Sequence, residues 1–105
     1  MATGRLGTAD VGAGAYTTVY TCPASTFSIV NINLVNRANQ SCFVRLAVAD
    51  AATPTNDEFL EFNVELTSKG VLERTGIVMG AGNLLVVYSN QAGISAVAFG
   101  IETST

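Results

Sequence analysis

The sequence predicts an all-β fold, a β-sandwich or jelly roll of seven to eight mostly antiparallel strands. Three observations lead there. Nearly every stretch alternates apolar and polar residues with a period of two, the pattern of a strand with one face buried. These stretches recur at regular spacing, separated by short polar turns, as in sandwiches and jelly rolls. Only 12% of the residues are charged, and the chain has no histidine and no tryptophan. At 105 residues it reads as one domain. That is long enough to bury a core without metal or disulfide staples, since chains of about 60 residues already fold alone. A closed barrel is the alternative architecture.

The first fifteen residues are rich in Gly and Ala and weakly patterned. They read as an N-terminal arm (1–15), with residues 16–105 forming the sandwich of seven strands, or of eight if the arm pairs. Tyr16 to Thr21 is the first strand, with Tyr16, Thr18 and Tyr20 on one face, and Pro23-Ala24-Ser25 ends it. Phe27 to Val35 follows. Val30, Ile32 and Leu34 share one face, Asn31 and Asn33 the other, and the phase of Phe27 and Ile29 suggests a bulge near Ile29. Asn36 to Gln40 is a polar turn, and Ser41 to Ala49 then directs Cys42, Val44, Leu46 and Val48 inward and Phe43 and Arg45 outward. These two strands read as the clearest hairpin in the chain.

Asp50 to Asp57 is the longest loop, built of turn residues. Glu58 to Leu66 alternates strictly, which favours strand over helix. Its inward set is Leu60, Phe62, Val64 and Leu66, and its outward set Phe59, Glu61, Asn63 and Glu65. Strands at Val71 to Val78, Leu84 to Ser89 and Ile94 to Ile101 complete the domain, separated by turns at 68–70, 80–83 and 90–93. The run Leu84-Leu85-Val86-Val87 suits a strand buried on both faces. Gly12-Ala13-Gly14 before Val19-Tyr20-Thr21 resembles Gly80-Ala81-Gly82 before Val87-Tyr88-Ser89. Two Gly-rich turns feeding similar strands account for this as well as an ancient duplication does.

The composition narrows function. Net charge is −3 and the pI about 4.6, with no basic run to track phosphates, so nucleic acid is not an expected partner. No apolar run is long enough to span a membrane. The opening Met-Ala-Thr-Gly-Arg-Leu-Gly has no basic stretch followed by an apolar one. The expectation is therefore a chain made and folded in a cytoplasm, with Cys22 and Cys42 as core thiols. Without histidine the usual Ser-His partnership is impossible, and no phosphate-loop motif follows the glycines. A two-cysteine metal site lacks further ligands, and Asp50 to Asp57 has no EF-hand spacing. Glu58, Glu61 and Glu65 form the one acidic cluster, read as strand charges that discourage edge pairing. The chain is thus expected to be no enzyme and to need no cofactor. A hydrophobic fraction of 49% and a mean hydropathy of +0.39 suit a surface partly covered by partners, and equally a chain whose Ala, Gly and Thr raise both figures. The candidate interface residues are Arg5, Leu6 and Val11 in the arm, Phe43 and Phe59 on outward phases, and the adjacent Glu73 and Arg74.

The segments GRLGTAD, AYTTVYTCPASTFSIVNINLVNR, VRLAVAD, TPTNDEFLEFNVEL, GVLERTGIVMGAGNLLVVYS and FGIET resemble small virion proteins of tailed bacteriophages, including phages of cyanobacteria. The resemblance runs over essentially the whole chain and carries no catalytic motif. It implies a compact β-domain in the phage particle, assembled in the host cytoplasm, forming a trimer or another homo-oligomer and contacting the major capsid protein or other virion proteins. A capsid decoration or cement protein is the leading expectation, since the chain lacks the repeats or shaft of a fibre. Its arm would lie across neighbouring capsid subunits, so that deleting residues before Tyr16 would abolish binding and leave the fold intact. The alternative is a tail, baseplate or fibre component, including a receptor- or glycan-binding module that uses Tyr16, Tyr20, Tyr88 and the Asn31/Asn33 face.

Overall fold

A computed structural model describes residues 2–105 as eight strands. They are β1 (Thr3–Val11), β2 (Tyr16–Thr21), β3 (Thr26–Asn36), β4 (Cys42–Ala49), β5 (Phe59–Leu66), β6 (Val71–Met79), β7 (Leu84–Ser89) and β8 (Ile94–Ser104). A single 3-10 turn at Asn56–Glu58 precedes β5. First pairs with last and so on inward: β1 with β8, β2 with β7, β3 with β6 and β4 with β5, all antiparallel. This long hairpin is rolled so that β8 also pairs with β3 and β7 with β4. The sheets that result have the orders β1-β8-β3-β6 and β2-β7-β4-β5. Here they are called sheet A and sheet B. Together they make a two-sheet sandwich with jelly-roll connectivity.

The regular alternation in the middle strands explains the core. Val30, Ile32 and Leu34 of β3 meet Ala96 and Ala98 of β8 on the inner face of sheet A, and Val44, Leu46, Leu85 and Val87 answer from sheet B. None of these side chains is more than 1% exposed. Burying each Val, Leu or Ile stabilises by roughly 1.5–3 kcal/mol. Cys22 and Cys42 are free thiols buried in this core.

Four expectations need correction. The arm is a strand. Residues 3–11 pair along β8, Val11 is fully buried, and Leu6 and Ala9 pack on the core. Removing residues before Tyr16 would therefore strip a strand from sheet A and open the core at Val11. The predicted hairpin is in fact a crossing between sheets, because β3 belongs to sheet A and β4 to sheet B. Their inward phases meet across the core rather than side by side. Asn36, itself fully buried, anchors the crossing. Its amide donates to the carbonyls of Gln40 (2.9 Å), Leu66 (3.0 Å) and Thr67 (3.2 Å), and its Oδ1 accepts from the Ala38 N–H (2.9 Å). One side chain thereby satisfies the polar groups of two chain reversals that would otherwise be left unpaired.

The third correction concerns bulges. The irregularity opposite β3 lies in β6, where Val30 faces Ile77 and Ile32 faces Arg74. The extra residue includes Gly76, whose N–H donates to Asn31 Oδ1 (3.0 Å). Ile29 stays in register with Val78 and Ile101, on the outer face. A shift between Thr18 and Tyr20 in β2 turns Tyr20 into the core, away from the Tyr16 face. The tyrosines of the two Gly-Ala-Gly segments consequently point to opposite sides of sheet B.

The fourth lies in β5. Asn63 takes the left-handed backbone (φ 53°) that Asn tolerates better than most residues, and register slips there against β4. Phe62 is carried outward to 54% exposure, and Glu61 is set opposite inward-facing Leu46. Glu61 and Glu65 then lie on opposite faces. At this margin of the sandwich Arg74 of β6 donates to Glu61 (2.6 Å), tying the two edge strands across the sheets. At the other margin β1 closes on β2. A Cβ on Gly7 would sit 2.1 Å from the Val19 carbonyl oxygen, so only glycine permits that approach.

Candidate interaction surface

The outer face of sheet B carries one continuous cross-strand row. Tyr16 of β2 pairs with Tyr88 of β7, Tyr88 pairs with Arg45 of β4, and the bulge residues Phe62 and Asn63 of β5 lie beyond. Alternation places these residues outward, and strand order brings them together. The Tyr16 and Tyr88 rings are 5.1 Å apart, and Phe59 meets Phe62 edge-on at 4.9 Å. The Arg45 guanidinium lies 4.4 Å from the Phe62 ring centre and 4.5 Å from that of Tyr88. Each such contact contributes about 0.5–1 kcal/mol at a partly exposed site. Arg45 Nε donates to Asn63 Oδ1 (2.8 Å) and Nη1 to Tyr16 Oη (2.9 Å). Among the described residues no carboxylate pairs with it. A shallow depression of about 290 Å³ opens beside it, lined by Phe43, Arg45, Asn63, Tyr88 and Asn90.

The outer face of sheet A is different. Val78 of β6, Ile29 of β3 and Ile101 of β8 form an in-register row, 68%, 38% and 43% exposed. Phe27 lies one step along β3 on the same phase and is also exposed, and Phe99 lies one step along β8. The result is an aliphatic patch with no polar side chain inside the row.

The seven candidate interface residues do not converge. Phe43 is exposed at the rim of the sheet B depression, and Phe59 packs in its aromatic cluster against Tyr16 and Phe62. Arg5, across from Phe99, and Glu73, across from Asn33, lie on the outer face of sheet A. Arg74 is turned toward Glu61 at the sandwich margin and does not act with Glu73. Leu6 packs on the core, and Val11, fully buried, offers a partner nothing. The aromatic row was half legible in advance, through the outward phases of Phe43, Arg45 and Phe59. Phe62 was hidden by the bulge, and the juxtaposition of Tyr16 and Tyr88 with Arg45 required the strand order.

The acidic residues are placed apart. Glu58 closes the preceding loop, accepting from the N–H groups of Thr55 (2.8 Å) and Asp50 (3.3 Å). Glu65 is exposed opposite Phe43. Glu102 of β8 accepts from Tyr20 Oη (2.6 Å) and from the Ala2 N–H (3.0 Å), clasping β8, β2 and the start of the chain. The Tyr20 hydroxyl, then the Ala2 N–H, hold the Glu102 carboxyl below its ordinary value of 4.5. Burial, reinforced by that carboxylate, pushes the Tyr20 phenol well above its ordinary 10.0.

No protein-family model matches this chain. No curated protein matches it in sequence.

Proposed function

We propose that this chain is a structural protein of a bacteriophage particle, a capsid decoration or cement domain that stabilises the head through protein–protein contacts. It has no catalytic role in this reading. The observation that supports it is the aliphatic row Val78–Ile29–Ile101 on the outer face of sheet A. A row of β-branched side chains left in water on a flat sheet face favours burial against another subunit. Jelly rolls recur in capsid proteins, although they also serve lectins and cupins, so the fold is an analogy and the face carries the weight. The contact is assigned to this face and not to an arm, since residues 3–11 are already committed to β8. Burial of the face against the major capsid protein would add to particle stability by mass action, and copies of the chain would contact one another as a homo-oligomer on the lattice.

Copy number per particle tests this. Quantitative mass spectrometry of purified virions is expected to give a ratio to the major capsid protein of order one. A ratio of a few per hundred would move the chain to the tail or baseplate, and absence from the particle would overturn the reading. The second reading, a receptor- or glycan-binding module of the tail, is favoured by the Arg45 row, whose aromatic faces and amides suit a sugar. The copy-number ratio separates the two.

A further inference from the structure

The depression beside Arg45 has an uneven supply of hydrogen-bonding groups. Asn63 spends its oxygen on Arg45 Nε, and Asn90 spends its oxygen on the Phe43 N–H (2.9 Å). Arg45 spends Nε and Nη1 on Asn63 and Tyr16. Among the described residues, the groups still unbonded on these three side chains are mainly donors: Nη2 of Arg45 and the NH₂ groups of Asn63 and Asn90, with the Tyr88 hydroxyl able to donate or accept beside them. A donor-rich constellation around a fixed guanidinium that no carboxylate among the described residues pairs suits an anion rich in acceptor oxygens, and the planar fork of Arg suits a carboxylate. The guanidinium is also pre-ordered. Rings cover it at 4.4 and 4.5 Å and two hydrogen bonds hold its plane, so a ligand meets it with little further ordering cost.

The size and the walls narrow the ligand further. About 290 Å³ is room for a single six-membered ring beside the guanidinium. Phe43, exposed at the rim, offers apolar surface to the C–H face of a sugar, while the amides reach its oxygens. We propose that this depression binds the carboxylate-bearing sugar unit of an acidic polysaccharide, a hexuronate, with Arg45 taking the carboxylate and Asn63 and Asn90 its neighbouring oxygens. Glu65 of β5 stands directly opposite Phe43 of β4, exposed, and its repulsion is weakened by solvent and salt. The site is open to solvent in a single chain. It therefore does not depend on whether the domain sits on the head or the tail, and its failure would leave the copy-number test untouched.

The test is a titration of the full chain with trigalacturonate, followed by the ¹H–¹⁵N signals of the Asn63 and Asn90 amides and of Arg45 Nε. The trisaccharide's methyl ester serves as the uncharged control and a glutamate trimer as the peptide control. The acid is expected to shift those signals, to bind at least about tenfold more tightly than its ester, and to weaken with added salt. Arg45→Met should lower affinity by at least about tenfold. Asn63→Gly keeps the left-handed backbone while deleting the amide, and should weaken binding even if Arg45→Met fails to fold. Arg5→Gln, on the other sheet, should bind like the parent chain. Equal binding of acid and ester, no shift at the three side chains, or tighter binding of the glutamate trimer would each overturn the proposal.

Discussion

The outer faces of the two sheets are built from similar raw material and come out opposite in character. Each has a cross-strand row of large side chains on strands with near-continuous register. On sheet A the row is aliphatic, carries no hydrogen bonds and leaves Val78 at 68% exposure. On sheet B a single arginine organises four aromatic rings, the loop before β5 lies beside them, and Val86, Ala47 and Ala49 beneath are sealed to 1% exposure or less. The contrast teaches that exposed apolar area and organised chemistry are separate signals. The first suits a broad partner surface, which needs contact without direction. The second suits a small ligand, which needs donors fixed in space.

Substitutions can break each face in turn. The largest effect is expected at Gly100, next to Ile101 in β8 and opposite Val30 of β3. A Cβ there would sit 2.0 Å from the Ile29 carbonyl oxygen, a backbone atom that cannot swing aside. Gly100→Ala should cost on the order of 3 kcal/mol in urea denaturation, with faster amide exchange in β3 and β8 than in β4 and β7. Uniform loss of protection would show instead that the two sheets unfold as one unit. Arg45→Met, on sheet B, should cost about 1–2 kcal/mol by removing the ring contacts and two hydrogen bonds while keeping an apolar stem. Near-ultraviolet circular dichroism should report loosened Tyr16 and Tyr88.

Smaller effects sharpen the comparison. Val78→Thr should change stability by about 0.5 kcal/mol or less, because that side chain is 68% exposed, and Ile29→Thr by more, because Ile29 is only 38% exposed. The same changes should weaken capsid binding or self-association, measured by co-sedimentation with purified heads. A variant that binds normally would remove sheet A from the interface. The smallest effect concerns Glu102, which joins the sheets through Tyr20. Its folded carboxyl is held below the ordinary 4.5, so the unfolded chain takes up that proton first as pH falls. Its contribution is full above the ordinary value and is lost as pH drops through the lowered one. Melting curves of the parent chain and Glu102→Gln should accordingly differ near neutral pH and converge once the pH has fallen below the lowered value.

The strands that alternate without interruption were legible in the sequence. Val30, Ile32 and Leu34 share the core, as their spacing predicts, and Phe43 and Arg45 face out. Misreadings fall where a residue is inserted. Tyr20 and Phe62 each lie beside a register shift, and an extra residue inverts the phase beyond it until a second shift restores it, as happens in β5 between Phe59 and Glu61. The arm was misread for a different reason. Its small residues and glycines weaken alternation, but β1 sits at a sheet edge where close approach to β2 demands Gly7.

The sequence by itself determined the fold class and, in most strands, which side chains turn inward, because alternation is a local consequence of the pleated backbone. Tertiary structure alone decided which strands are neighbours. Backbone hydrogen bonds pair any strand with any other of compatible register, so nothing local to β3 and β4 announces that they belong to different sheets. That choice depends on closing one core from both ends of the chain. It is the same choice that brings Tyr16 and Tyr88 to Arg45, from opposite ends of the sequence.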